Sequence, residues 1–91
     1  MVDAVGGTPV GFQSFEVNEL TPMSLSVPPS ARFTLITAEG RVRWRDDGEA
    51  PTTRMGHVLD DGSLVYSGPL KTIQFVAEAG RTAILSVSYY R

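Results

Sequence analysis

From Phe12 onward, apolar and polar residues alternate in short runs. Turn-forming clusters separate these runs at a spacing of about 8 to 12 residues, the pattern of a sandwich or barrel. Successive side chains of an extended strand point to opposite faces, so alternation sorts each run into an inward and an outward set. Phe12 to Val17 places Gln13, Phe15 and Val17 on one face. Met23, Leu25 and Val27 alternate with Ser24 and Ser26 until Pro28 and Pro29 stop the strand. Ala31 to Ala38 carries Phe33 and Leu35 on one face and Thr34 and Ile36 on the other, which predicts a strand covered on both sides. Arg41 to Arg45 alternates strictly, with Val42 and Trp44 inward and Arg41, Arg43 and Arg45 as an outward stripe.

The second half continues in the same way. Arg54 to Leu59 reads as extended, and Asp60-Asp61-Gly62 before Ser63 reads as a hairpin turn into a strand in which Leu64 and Tyr66 share a face. Leu70 to Ala77 aligns Ile73, Phe75 and Ala77. Thr82 to Tyr90 puts Ala83, Leu85, Val87 and Tyr89 on one face and Ile84, Ser86, Ser88 and Tyr90 on the other. No run has helical period, and the tally is about eight strands, enough for two packed sheets. The predicted fold is all-β: a small antiparallel β-sandwich over residues 12–91. It is preceded by a flexible N-terminal arm over residues 1–11, where Gly6, Gly7 and Pro9 break any period.

Length changes this picture by limiting the core. Ninety-one residues make one domain, and a domain of that size buries only about two-thirds of its unfolded surface, so self-association is an expected source of further burial. There is no cysteine and a single histidine. That composition leaves no disulfide, thiolate zinc site, cysteine nucleophile or histidine-rich metal centre. The formal net charge of -2 opposes binding to nucleic acid through an overall field. No apolar run approaches the roughly 18 residues of a membrane helix, and Met1 to Val10 lacks the features of a signal peptide, so no membrane association is expected and the chain reads as made in the cytoplasm.

Candidate chemistry is sparse. His57 shares its face with Met55 and Leu59, which predicts a part-buried, hydrogen-bonded histidine rather than a general base. No serine stands in a nucleophile elbow and no glycine-rich phosphate loop is present. A glycosidase would need two carboxylates about 5 to 9.5 Å apart across a cleft, and nothing in the sequence sets up that pair. Asp46-Asp47-Gly48 and Asp60-Asp61-Gly62 would offer oxygens to calcium if they met at one end of the sandwich, but their spacing matches no EF-hand and backbone turns explain them better. No cofactor or metal is expected.

Two surface features remain. Arg41, Arg43 and Arg45 either clamp an acidic partner surface or pair with Asp46, Asp47 and Glu49 nearby. No aromatic residue interleaves with them to stack on bases, so they do not predict direct nucleic-acid binding. Trp44 and Tyr89 share the core parity, which weakens a sugar-stacking platform built from Trp44, Tyr66, Tyr89 and Tyr90. Ile84, Ser86, Ser88 and Tyr90 on the outer face of the last strand, with Val65 and Val76 also off the core parity, predict a second buried surface against another copy.

Three stretches carry a resemblance: Ala31-Arg32-Phe33-Thr34-Leu35-Ile36; Val42-Arg43-Trp44-Arg45-Asp46-Asp47-Gly48-Glu49-Ala50-Pro51-Thr52, followed by Gly56; and Leu85-Ser86-Val87-Ser88-Tyr89-Tyr90-Arg91. They are similar to a group of short proteins encoded among the virion structural genes of tailed bacteriophages and prophages, over nearly everything after Phe12. The resemblance implies a non-enzymatic virion component, such as a head decoration or cement protein. Proteins of that sort often form homotrimers that bridge capsomers of the major capsid protein and resist the pressure of packaged DNA. It implies no catalytic or ligand residue. An alternative of another class is a carbohydrate- or receptor-binding module of a tail or baseplate.

Overall fold

The structure is a computed structural model and describes residues 7–91. Among the described residues there are eight strands and no helix: β1 (Pro9–Val17), β2 (Met23–Ser24), β3 (Phe33–Glu39), β4 (Arg41–Arg45), β5 (His57–Asp60), β6 (Ser63–Tyr66), β7 (Gln74–Ala77) and β8 (Ala83–Tyr90). They form two antiparallel four-stranded sheets, ordered β1-β8-β3-β6 and β2-β7-β4-β5. The shortest dimension of the molecule, 17 Å, is that of two layers about 10 Å apart with their outward side chains. The all-β, two-sheet expectation is met.

The order of the strands has a simple generator. Each of β1, β2, β3 and β4 pairs with its mirror partner counted from the other end, β8, β7, β6 and β5, as in one long hairpin. That hairpin is rolled so that β8 also pairs with β3 and β7 with β4. Two interlocked Greek keys of this kind make a jelly roll. Only β4 and β5 are neighbours both in sequence and in space; every other connection except the one between them crosses from one sheet to the other.

The inward faces meet in one core. Ala83, Leu85, Val87 and Tyr89 of β8 and Ile36 and Ala38 of β3 lie against Val42 of β4 and Phe75 and Ala77 of β7, all at most 3 % exposed. Val17, Leu25, Leu70 and Ile73 close the ends. The one buried polar side chain among the described residues, Thr34, is fully enclosed and its Oγ1 donates to the Tyr66 carbonyl at 3.4 Å. At the open edge of β1, inward-facing Gln13 accepts hydrogen bonds from the Tyr89 hydroxyl and, at 3.0 Å, from the Ser26 backbone. Burial pushes the Tyr89 phenol up to about 12.

Several expected boundaries shift. Residues 1–6 of the expected arm lie outside the described residues, whereas Pro9, Val10 and Gly11 belong to β1 and pair with β8, so the strand begins inside the segment expected to be flexible. The run Met23 to Val27 is reduced to a two-residue strand, and Leu70 to Ile73 is a turn whose buried side chains plug the core without sheet pairing. Asp60-Asp61-Gly62 is not a hairpin turn, because β5 and β6 lie in different sheets. It is one of two adjacent corners. Gly40, at φ 105° between β3 and β4, donates its N–H to Asp61 Oδ1 at 2.7 Å, and Asp61, at φ 45°, donates its N–H to the Gly40 carbonyl at 3.0 Å. A Cβ at Gly40 would stand 3.0 Å from Ala83 Cβ, so only glycine fits that crossing without displacement.

Candidate functional site

The arginine stripe of β4 is closed off by its own chain. Arg41 Nε donates to Glu78 Oε2 at 2.9 Å and its Nη1 lies 3.7 Å from Asp60 Oδ2. Arg43 Nη2 shares the same Glu78 oxygen at 3.4 Å, and its Nη1 donates to the Gly56 carbonyl at 3.2 Å. Arg45 grips Asp47 with both arms of its fork, Nε to Oδ1 at 3.1 Å and Nη2 to Oδ2 at 2.5 Å. That two-point contact holds the Asp47 carboxyl below its ordinary range and raises the Arg45 guanidinium. The arginines do pair within the chain, but with Asp47, Asp60 and Glu78 rather than with Asp46 and Glu49. Three guanidinium groups thus face three carboxylates, and the stripe offers an outside partner little uncompensated charge. Val76, directly opposite Arg43 in register, lies under the arginine stems and is 2 % exposed.

Asp46 is engaged elsewhere: it accepts the Tyr66 hydroxyl at 2.6 Å, and its backbone carbonyl accepts Thr72 Oγ1 at 3.1 Å. Burial first, and then the Asp46 carboxylate, drive the Tyr66 phenol well above its usual range. The two Asp-Asp-Gly segments do not meet, because one follows the last residue of β4 and the other lies beside its first. Among the described residues no group of three histidine, cysteine or acidic side chains is placed to hold a metal ion.

Trp44 is half-buried rather than fully enclosed. His57 is exposed, not part-buried, because β5 is a sheet edge; its ring lies 4.5 Å from that of Trp44. The Tyr66 ring meets Trp44 edge-on at 5.7 Å. A sugar-stacking platform needs a free, flat indole face, and here His57 and Tyr66 both lie against the indole. No cleft that would enclose a small molecule is found among the described residues.

The outward face of the β1-β8-β3-β6 sheet is the less protected one. Its register sets side chains in rows that run across the strands. At one end Ile84 lies between Glu16 and Glu39. Next comes a row of hydroxyls, Ser14, Ser86, Thr37 and Ser63, joined at 3.4 Å between the first two and 3.3 Å between the last two. Beyond it Phe12, Ser88, Leu35 and Val65 form an apolar row broken by one serine. Phe12, Val65 and Ile84 are 67, 58 and 44 % exposed.

Of the expected seam residues, Ile84 is exposed and Ser86 and Ser88 are half-buried, but Tyr90 is covered from within. Phe33 stacks on it with ring centroids 5.2 Å apart and planes 10° from parallel, leaving Tyr90 7 % exposed. Gly7 packs over the same pair, where an added Cβ would come within 2.5 Å of the Phe33 ring. Val76 does not belong with this surface, because it lies on the other sheet beneath the arginines. Phe12, Leu35, Glu16 and Glu39 do belong to it. The strand parity of β8 carried to its neighbours identifies them, but only once the neighbours are known.

Comparison of the chain with protein-family models, with curated proteins and with solved structures finds no match.

Proposed function

We propose that this chain is a non-enzymatic structural protein of a tailed-phage virion that self-associates and docks on the major capsid protein as a head decoration or cement protein. The virion assignment rests on the sequence resemblance. The observation that supports an assembly role is the outward face of the β1-β8-β3-β6 sheet. Its exposed Phe12, Val65 and Ile84 share one face, Phe12 and Val65 in one row on opposite edge strands and Ile84 two rows away, whereas the titratable residues of the other outward face are tied into internal ion pairs. Jelly rolls serve as capsid domains, lectins and cupins alike, so the fold is compatible with the reading without choosing it. The sugar-binding alternative is disfavoured by the rings that lie against Trp44.

The test is quantitative mass spectrometry of purified particles of the phage whose genome encodes the chain. Copy numbers comparable with those of the major capsid protein support head decoration. A few copies per particle move the protein to the tail or baseplate, and absence from particles refutes the virion reading.

A further inference from the structure

The sheet edges are not alike. β2, β5 and β6 end their sheets with two, four and four residues, and brevity protects an edge from pairing with another chain. β1 is nine residues long. Its irregularities, Pro9 and the register shift between Pro9 and Gly11, are confined to one end. Gly11 to Val17 is therefore a straight edge that contains no lysine or proline.

Two hydrogen bonds fix the direction of the backbone along that edge. The Ala38 N–H donates to the Gly62 carbonyl at 2.8 Å, which turns the backbone groups of Ile36 and Ala38 towards β6 and those of Leu35 and Thr37 towards β8. Alternation along β8 then leaves Leu85 and Val87 to bond Phe15 and Gln13 of β1. The Arg91 N–H, which donates to the Thr8 carbonyl at 2.9 Å, has the same parity. The N–H and C=O groups of Phe12, Ser14 and Glu16 consequently point away from the sheet, and none of them has a partner among the described residues. The three side chains are exposed as well.

We infer that this edge pairs with β1 of a second copy, antiparallel, about a two-fold axis beside Ser14, so that the two β1-β8-β3-β6 sheets become one continuous sheet. The edge is complementary to itself in that register. Ser14 stands opposite Ser14 of the second copy, and Phe12 opposite its Glu16, so every outward-pointing pair exchanges two backbone hydrogen bonds. A shift of two residues either way sets one of the three opposite Val10, at the register shift, or Asn18, beyond the strand. A shift of four in one direction sets Glu16 against Glu16, which like charges oppose. In the favoured register the hydroxyl row of Ser63, Thr37, Ser86 and Ser14 runs on into that of the second copy. On the inward side the half-buried Phe15 gains Gln13 of the second copy as a neighbour. The contact is isologous, so the unit formed is a dimer rather than the three-fold ring that the resemblance implies. This deepens the self-association part of the proposed function and rests on it.

Sedimentation velocity over a dilution series, with the intact chain, tests the inference. Wild type is expected in monomer–dimer exchange. Because Ser14 faces itself across the axis, Ser14→Asp and Ser14→Lys each set like charges opposite one another and are each expected to weaken the dimer by at least about 10-fold. Mixing the two variants sets opposite charges there and is expected to recover a one-to-one heterodimer. Ser14→Pro removes an N–H that the monomer does not use, at an edge position that tolerates proline; it is expected to give a folded monomer. A trimer, or a dimer indifferent to the charge variants, overturns the seam but leaves self-association standing. A wild type that is monomeric at every concentration overturns both. If the binding of that monomer to phage heads is then lost in the Ser14→Pro variant, the edge takes a strand of the capsid protein instead.

Discussion

On the β2-β7-β4-β5 sheet long side chains roof the middle of the outward face, where Val76 is 2 % exposed, and leave Val58 on the edge strand β5 open at 43 %. On the β1-β8-β3-β6 sheet the outward face carries short serines that roof nothing, and Phe12, Ile84 and Val65 keep 67, 44 and 58 % of their surface. The difference shows that a row of arginines is not by itself an interaction surface. A guanidinium on a flexible stem can fold over the sheet, shield an apolar neighbour and find a carboxylate, whereas a serine beside an exposed phenylalanine does none of these things. The more conspicuous stripe in the sequence is the self-sufficient one, and the bland Ile-x-Ser-x-Ser pattern marks the unfinished one.

The comparison assumes that both sheets hang on one shared core, and the largest expected effect tests that assumption. Phe75 is 0 % exposed, and Phe75→Ala is expected to cost about 3 to 5 kcal/mol, measured by urea denaturation; a loss below about 1 kcal/mol would mean that the sheets are not packed as described.

Arg43→Ala sharpens the contrast between the faces. Removing the stem bares Val76 and leaves Glu78 with one cation fewer, at an expected cost of about 1 to 2 kcal/mol. Arg43→Met keeps the stem and should recover at least half of that loss. If Met and Ala are equally damaging, charge rather than cover holds this face together.

Alkaline titration reads the core where β1 and β8 meet. Tyr89 has a folded pKa raised from 10.0 to about 12, so its contribution to stability is fully present below pH 10 and is lost as the pH rises from 10 towards 12, when the unfolded chain ionises first. The phenolate absorbance of Tyr89 should therefore appear late, together with unfolding, and Tyr89→Phe should remove that step. At the acid end the sign is reversed. Asp47, depressed by Arg45, favours the folded chain above its unfolded pKa, and this contribution fades as the pH falls through the folded value.

The smallest effect belongs to the open face. Ser86→Ala removes one long hydroxyl contact, 3.4 Å to Ser14, from a partly exposed position. It is expected to change stability by less than about 0.5 kcal/mol. A larger loss would show that the hydroxyl row braces the sheet from within.

Alternation along the chain made the inward sets legible: Ala83, Leu85, Val87 and Tyr89, together with Ile73, Phe75 and Ala77, are all buried as expected. It could not show which sheet a strand joins. Asp60-Asp61-Gly62 has the residues of a hairpin turn because glycine and aspartate suit any reversal, and only long-range pairing makes it a corner between sheets. Tyr90 and Val76 share an off-core parity in the sequence, yet each is covered by a neighbour on an adjacent strand, Phe33 in one case and Arg43 in the other. Contacts across strands that are distant in sequence decide burial there. The same distance hid the row of Glu16, Ile84 and Glu39 on the outer face, whose members come from β1, β8 and β3.

The rolled hairpin also sets a timetable. β8 lies between β1 and β3, and β7 lies between β2 and β4, so neither sheet is continuous until the last two strands exist. A ribosome releasing this chain from the N-terminus extrudes β1 to β6 with only the β4–β5 hairpin able to close locally. Phe12, Phe15, Val17 and Ile36 then wait for β8 to arrive. Folding is thus deferred until synthesis has passed β8, and with almost every pairing non-local it is expected to take milliseconds to seconds. During that interval the half-made sheets expose apolar edges, which makes high-level expression of this small protein a contest between closure of the roll and aggregation of its intermediates.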